Sequence, residues 1–297
     1  MMSPADETRT VSSRRPGSRE ARSGLILVNV LFIVALSALV VLLMVSSQAD
    51  AIDRTVRLHE ASQAGVIARS GELSAVTALR RDVVTAPETD NTAEPWAAIQ
   101  EQDIAIEGGT FSLTITDDQA RFNLNTVANG GLVTEDRLGK ILAAGGLRPT
   151  LRTPIIALVR ASGPLSDLDQ LTAVGLTLTE IAVLRAFITV LPLDTGINLN
   201  TADERMLAVL FDSPMTAGQL VRTRQRNRGA LTPQDLARQN IYAPPGVGFT
   251  SNFFQVTSEV QVGETRQRIV SSLIRQSGRR GPEVLVYARR RTAADSE

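Results

Sequence analysis

From Leu25 to Val45 the chain carries no charged residue, and only the polar Asn29 and Ser37 interrupt the apolar run. As a helix rising about 1.5 Å per residue, this segment matches a bilayer core of about 30 Å. A secretory signal would have a shorter apolar region and an A-x-A site after it. Here "VSSQADA" is a weak match. Arg14, Arg15, Arg19 and Arg22 precede the run, and Asp50 and Asp53 follow it. That asymmetry places the N-terminus in the cytoplasm and the remainder on the far side. The pattern then changes period. Ile52, Val56, Ala64, Ile67, Ala75 and Leu79 recur at helical spacing, which predicts an amphipathic stem over residues 47–83 with one face against a partner layer. Gly65 and Gly71 weaken such a helix by about 1 kcal/mol each. Both would admit close approach of a packed sheet. His59 falls on the solvated surface of the stem.

Beyond the stem, "TAPETDNTAEPWAAIQ" is polar and turn-rich. "GTFSLTITDDQARFNLNTV" follows, and in it Phe111, Leu113 and Ile115 alternate with Ser112, Thr114 and Thr116, as in a strand. A helical series follows over residues 128–245. "TEDRLGKILAAGGL" opens on Thr134 as cap and closes at Gly145 and Gly146. "TPIIALVRASG" opens on Thr153 and Pro154. "SDLDQLTAVGL", "TLTEIAVLRAFITVL", "ERMLAVLFDS", "TAGQLVRTRQRNRG" and "TPQDLARQN" continue the block. Thr201 and Glu204 fit a capping box opening the helix "ADERMLAVLF". "FFQVTSEVQVG" and "TRQRIVSSLIRQ" predict a hairpin around Gly263, and "PEVLVYARR" a last strand. The order is long helix, strand, helical block, strands: an α+β chain with a helical domain inserted into its sheet region.

Composition narrows the chemistry. There are 31 basic and 31 acidic residues, so no net charge selects nucleic acid or an acidic partner. With no Cys and a single His, disulfides, thiol catalysis and the usual zinc sites are excluded. No G-x-S-x-G, P-loop, H-E-x-x-H or G-x-G-x-x-G unit is present, and the reading is of a non-enzyme. Asp117 with Asp118, and Asp203 with Glu204, are assigned turn and cap roles.

Two motifs and the N-terminus carry a resemblance. A basic leader ending in Gly24, an apolar helix from Leu25 and an amphipathic continuation resemble a type IV pilin-like N-terminus. "DDQARFNLNTV" resembles the D-x-x-G-R-x-N-L-N motif of the minor pseudopilin K family of type II secretion, with Ala120 where Gly is usual. "INLNTADERMLAVL" resembles that family's second motif. "FNLNT" and "INLNT" echo each other, and their Asn residues are assigned capping and turn hydrogen bonds. Most pilin-like chains have Glu at mature position five. Asn29 stands there, as in the K branch.

The resemblance covers nearly the whole chain and implies a pilin-like fold: a long transmembrane and stem helix on a small antiparallel sheet, with a large inserted all-α domain. It implies a cytoplasmic leader over residues 1–24, cut by prepilin peptidase between Gly24 and Leu25, and a transmembrane helix over 25–46. The pilin-like domain would be formed by 84–127 and 246–290, the insertion by 128–245, and a frayed tail by 291–297. It also implies a single-pass inner-membrane protein with a periplasmic C-terminal part. Partners would be minor pseudopilins I and J and the major pseudopilin, at the tip of the pseudopilus. Some members bind calcium. The K family's acidic "W-x-D-x-D" stretch is blurred here, and only Asp167 and Asp169 offer nearby carboxylates, which are more simply caps.

A second reading stays open, as a membrane-anchored helix-hairpin-helix DNA-uptake protein or a type IV minor pilin. "LDQLTAVGLTLTEIAVL" is similar to such a hairpin, and Arg222, Arg224, Arg226 and Arg228 are basic. Gly175 lacks the second Gly of a phosphate-gripping turn, and the arginines spread around a helix. No nucleic acid is expected.

Overall fold

The computed structural model describes residues 18–279 and 281–292, with side chains over 26–279 and 281–291. Residues 1–17 of the expected leader and 293–297 of the expected tail lie outside the described residues. In chain order the elements are α1 (Ser18–Thr85), β1 (Gln100–Ile106), β2 (Gly109–Asp117), β3 (Phe122–Asn123), α2 (Gly131–Ala144), α3 (Arg152–Ser162), α4 (Leu178–Leu184), β4 (Ile188–Thr189), β5 (Ile197–Asn198), α5 (Glu204–Phe211), α6 (Pro214–Arg226), α7 (Pro233–Arg238), β6 (Val247–Gly248), β7 (Phe253–Val262), β8 (Thr265–Gly278) and β9 (Gly281–Thr292). The chain divides into two compact units, one up to His59 and one from Glu60 onward.

The first unit contains the apolar span. Its side chains from Ile26 to Val45 are exposed, which in water would be untenable and in a bilayer is the normal state of such a helix. The Ser37 hydroxyl donates to the carbonyl of Ile33, so this polar group is satisfied within the helix. Ile52 and Val56, expected on the buried stem face, are exposed in this unit.

The second unit is built on an antiparallel sheet in the order β1-β2-β7-β8-β9. From Glu60 to Thr85, α1 lies on this sheet. Ala64 and Ala68 pack against Val260, Val262 and Ile269, while Ala75, Val76 and Leu79 pack against Leu113, Ile115, Phe254, Val256 and Leu273. The small residues on the helix bring the backbones together. At Gly71, an added Cβ would sit 2.7 Å from the Phe111 ring, so the close approach expected there is real. Gly65 has ordinary room, 3.6 Å from Gln267.

Between β2 and β7 the chain inserts the helical layer, which has its own core of Leu138, Ile141, Leu142, Ile155, Leu171, Leu184, Phe187, Leu207 and Leu220. Two short parallel pairs close its base: β3 with β4, and β5 with β6.

Several expected boundaries move. β1 was not expected, because "QEQDIAI" is mostly polar and bulges where Asp103 has φ 50°. "TLTEIAVLRAFITVL" is helical only as α4; its end pairs as β4 because Phe187 and Ile188 are needed in the core. Thr134 lies inside α2, which begins at Gly131, and Thr153 and Pro154 lie inside α3 after a turn at Pro149–Leu151. Asp203, not Thr201, caps α5, accepting from the Met206 N–H at 2.6 Å. Thr201 is diverted because a buried carboxylate takes its hydroxyl.

Candidate functional site

The stem face comes first. Glu72 of α1 accepts from the Ser271 hydroxyl at 2.5 Å and from Arg289 at 2.7 and 2.8 Å, which stitches the helix to β8 and β9. The Arg289 hydrogen bonds hold the Glu72 carboxyl below the usual carboxylate range against the opposing effect of burial. Glu60 accepts from Thr265, and Gln267 donates to the carbonyl of Ala61. The opposite face of the same helix is free: Val66 and Leu73 are 60% and 65% exposed, and Ser70, Ser74, Thr77 and Ala78 flank Leu73 in a shallow groove.

The second feature is the base of the insertion, built by the two echoing motifs. Asn123 accepts from the N–H of Leu191 at 3.0 Å and donates to the carbonyl of Leu193 at 2.8 Å. Asn125 donates to the carbonyls of Leu165 and Leu191 and accepts from the Leu165 N–H. In the second motif, Asn200 donates to the carbonyls of Leu231 and Phe249 and accepts from the Leu231 N–H at 2.6 Å. Asn198 is fully buried and donates to the Asp90 carbonyl at 2.9 Å, Asp117 at 3.0 Å and the Ser251 hydroxyl at 2.9 Å. Each Asn satisfies backbone groups on segments far away in the chain, so the expected capping role is also a clamping role.

Asp117 is the centre of this base. Its carboxyl accepts from Asn198, from the hydroxyls of Thr201 and Ser251 at 2.5 Å, and from the Gln119 N–H at 2.7 Å. Burial pushes its pKa up to about 6, and the four donors hold it from rising further. Asp118, beside it, faces Arg121 and is also raised by burial. The turn role of this pair stands, but its burial was not legible.

A third cluster was missed outright. Asp82 at the end of α1, Asp90 and Glu94 of the following loop, and Arg275 of β8 meet in the interior. Trp96 closes over it, its indole N–H donating to Glu94 at 2.8 Å and its ring lying edge-on to Phe254. The single Trp of the sequence was the available signal, since an aromatic inside a polar loop usually plugs something.

Other expected residues are placed as follows. Gly24 and Leu25 lie on the α1 backbone, and Asn29 lies on the exposed surface of the helix. Asp167 caps a short turn through the Asp169 N–H and meets Arg185 and Arg290; Asp169 also meets Arg185. Burial pushes the Asp167 carboxyl up, but the Asp169 N–H and the two arginines outweigh it and hold it low. Two guanidiniums occupy the directions a calcium ion would need, so this pair does not fit the ion. Of the four arginines, Arg224 turns inward and donates to the carbonyls of Leu199, Asn200 and Ala202, locking the second motif. Arg222, Arg226 and Arg228 are exposed. At the hairpin turn, the Thr177 N–H is taken by Glu180 at 2.8 Å, which sets a carboxylate where a phosphate would dock.

No protein-family model matches the chain. It is similar to the type II secretion system protein K of Pseudomonas aeruginosa, at 27% identity over 316 residues, covering 91% of this chain and 93% of that protein. It is also similar to a chain in the crystal structure of the GspK–GspI–GspJ complex from the type 2 secretion system of enterotoxigenic Escherichia coli. The TM-score is 0.65 at 19% identity, over 81% of this chain and 100% of that one. At that identity the likeness speaks for the fold, which is the pilin-like α+β architecture with a helical insertion.

Proposed function

We propose that this chain is a minor pseudopilin of the type II secretion system protein K family, that it stands at the tip of the pseudopilus, and that it starts pseudopilus assembly with minor pseudopilins I and J. It works as a structural subunit, not as an enzyme. The leader 1–24 is cut by prepilin peptidase, residues 25–46 anchor the chain in the inner membrane, and the part beyond residue 47 is periplasmic. The pilin-like domain comprises 84–127 and 246–290, and the insertion 128–245. The observation that carries the reading is the insertion itself. It is a second layer with a separate core, clamped at its base. Bulk held that firmly has no place in a shaft of repeatedly stacked subunits, but it has one at an end.

Asn29 supports the same placement. A Glu at that position is thought to pair with the amine of the neighbouring subunit inside the apolar core, where an unpaired charge is costly. A tip subunit has no predecessor whose amine needs neutralising. Asn29→Leu therefore leaves secretion close to the wild-type level, since it exchanges a polar group for an apolar one in the bilayer. The check is secretion by cells carrying only that form, at matched protein level; a complete block would mean that Asn29 makes a required hydrogen bond, and would remove this support.

The free face of the stem is the proposed contact with the helices of I and J, because Val66 and Leu73 are apolar and exposed next to a groove of small side chains. Leu73→Asp should weaken co-purification with I and J by about 10-fold or more, while the melting temperature stays put. An unchanged affinity would move the contact elsewhere. If the chain instead bound duplex DNA in a salt-sensitive way that depended on Arg222, Arg226 and Arg228, the uptake reading would replace this one.

A further inference from the structure

Asp82, in the last turn of α1, faces three charged groups from the elements packed on it: Asp90 and Glu94 of the loop 86–99, and Arg275 of β8. All four side chains are buried, and Arg275 also lies over the Phe254 ring of β7 at 5.2 Å. If every carboxyl were ionised, one guanidinium would face three buried negative charges, which is a costly arrangement.

The donor count shows what is missing. Glu94 is saturated: Asn91 donates through its backbone and side chain, and Thr89 and Trp96 complete the set. Asp82 Oδ2 accepts from Arg275, and Asp90 Oδ2 accepts from Arg275 and the Ser251 N–H. Asp82 Oδ1 and Asp90 Oδ1 are buried and accept from no group among the described residues. One oxygen of Asp82 and one of Asp90 lie within 4.8 Å of each other and of one oxygen of Glu94. The cluster is therefore short of a donor, and a proton on one of the two carboxyls would supply it. A divalent cation would fit worse. Calcium takes about six to eight oxygens, whereas two are free here and Arg275 fills one side.

We propose that Asp82 and Asp90 share a single proton, and that this proton closes a latch joining the end of α1, the loop 86–99 and β8, which opens as the surroundings become alkaline. Burial first, then the charges of Glu94 and Asp90, push the Asp82 pKa up to about 7. The value is raised above that of the unfolded chain, so the stability this group contributes is present in acid and is lost as pH rises through about 7. The latch reaches the base of the insertion, since the Asp90 carbonyl accepts from Asn198 and its carboxylate from Ser251. Opening it would loosen the loop on which the insertion is clamped. The proposal stands apart from the tip placement.

Trp96 is the one Trp of the chain and donates to Glu94 within the cluster, so its fluorescence reports the latch directly. The experiment titrates the full-length protein in detergent micelles from about pH 5 to about pH 8.5, following Trp96 emission and the infrared band of protonated carboxyls. The expected result is a shift in emission near neutral pH, accompanied by loss of carboxylic-acid absorption. The emission shift should be absent in Asp82→Asn, whose amide donates to Asp90 at every pH, and the carboxylic-acid loss that remains there should be only that of Asp117, whose pKa is about 6. Both signals should persist in full in His59→Gln. Asp82→Asn should also melt higher than wild type at about pH 8. If wild type shows no transition near neutrality, the shared proton is overturned whether or not the variant folds. If calcium raises the wild-type melting temperature at about pH 8 but not that of Asp82→Asn, a cation fills the gap and the proton reading fails.

Discussion

Asn198→Ala lowers the thermal midpoint of the periplasmic part by about 6–16 °C, corresponding to about 3–4 kcal/mol. The reason is the number of buried groups that lose a partner together. The Asn198 amide serves the Asp90 carbonyl, the Asp117 carboxyl and the Ser251 hydroxyl, and its oxygen accepts from the Asn200 N–H at 2.9 Å. Asn198 is fully buried, so bulk solvent does not reach the groups that alanine leaves unpaired. The deficit should also grow with pH. Asp117 has a folded pKa raised to about 6, so its ionisation removes stability as pH rises through that value, and Asn198 is one of the donors that limits the loss. Without it the pKa moves higher still, and the gap between variant and wild type is wider at about pH 8 than at about pH 5. Melting curves at the two pH values test both parts, with Asn252→Ala, an exposed neighbour, as the control expected to change the midpoint little. A deficit equal to the control would mean that the clamp at the base carries no stability.

The same side chains show what could be read in advance. The long apolar helix was plain because an uncharged run of that length has few other physical meanings. The insertion was legible because each helix carries its own apolar period and most carry a cap. The stem face was legible only where a partner exists: Ala64, Ala75 and Leu79 are buried, while Ile52 and Val56 have the same spacing and are exposed. Periodicity marks a face that can be buried, and the neighbouring layer decides where burial stops. The echo of "FNLNT" and "INLNT" signalled hydrogen bonding, yet its partners were hidden, since Asn198 meets groups 108, 81 and 53 residues away. The acidic cluster was hidden for the same reason. Arg275 and Asp82 are 193 residues apart, and nothing in the local pattern around either of them distinguishes it from a solvated charge. Caps failed for a different reason. Thr134, Thr153 and Thr201 all had suitable chemistry, but a competing turn or a buried acceptor claimed the position.

Gly24→Leu should bring secretion to the background level. Prepilin peptidase is expected to cut on the C-terminal side of Gly24, where a small residue gives the enzyme access to the backbone at the membrane face. With leucine there, the leader stays attached. Its effect is electrostatic: Arg14, Arg15, Arg19 and Arg22 stay joined to the apolar span. Each arginine at the bilayer centre costs about 2.5–3.5 kcal/mol on an insertion scale, so four amount to roughly 10–14 kcal/mol. A subunit that must be drawn out of the membrane into a growing filament cannot carry that load through the hydrocarbon. The uncut chain should therefore accumulate in the inner membrane, folded on its periplasmic side and with the latch and clamp intact. Mass spectrometry of the wild-type protein should find Leu25 as the first residue, and of the variant the full leader. A wild-type mature end near Ala49 would mean ordinary signal-peptide removal with loss of the anchor. Undiminished secretion by the uncut variant would show that the leader charges do not obstruct extraction.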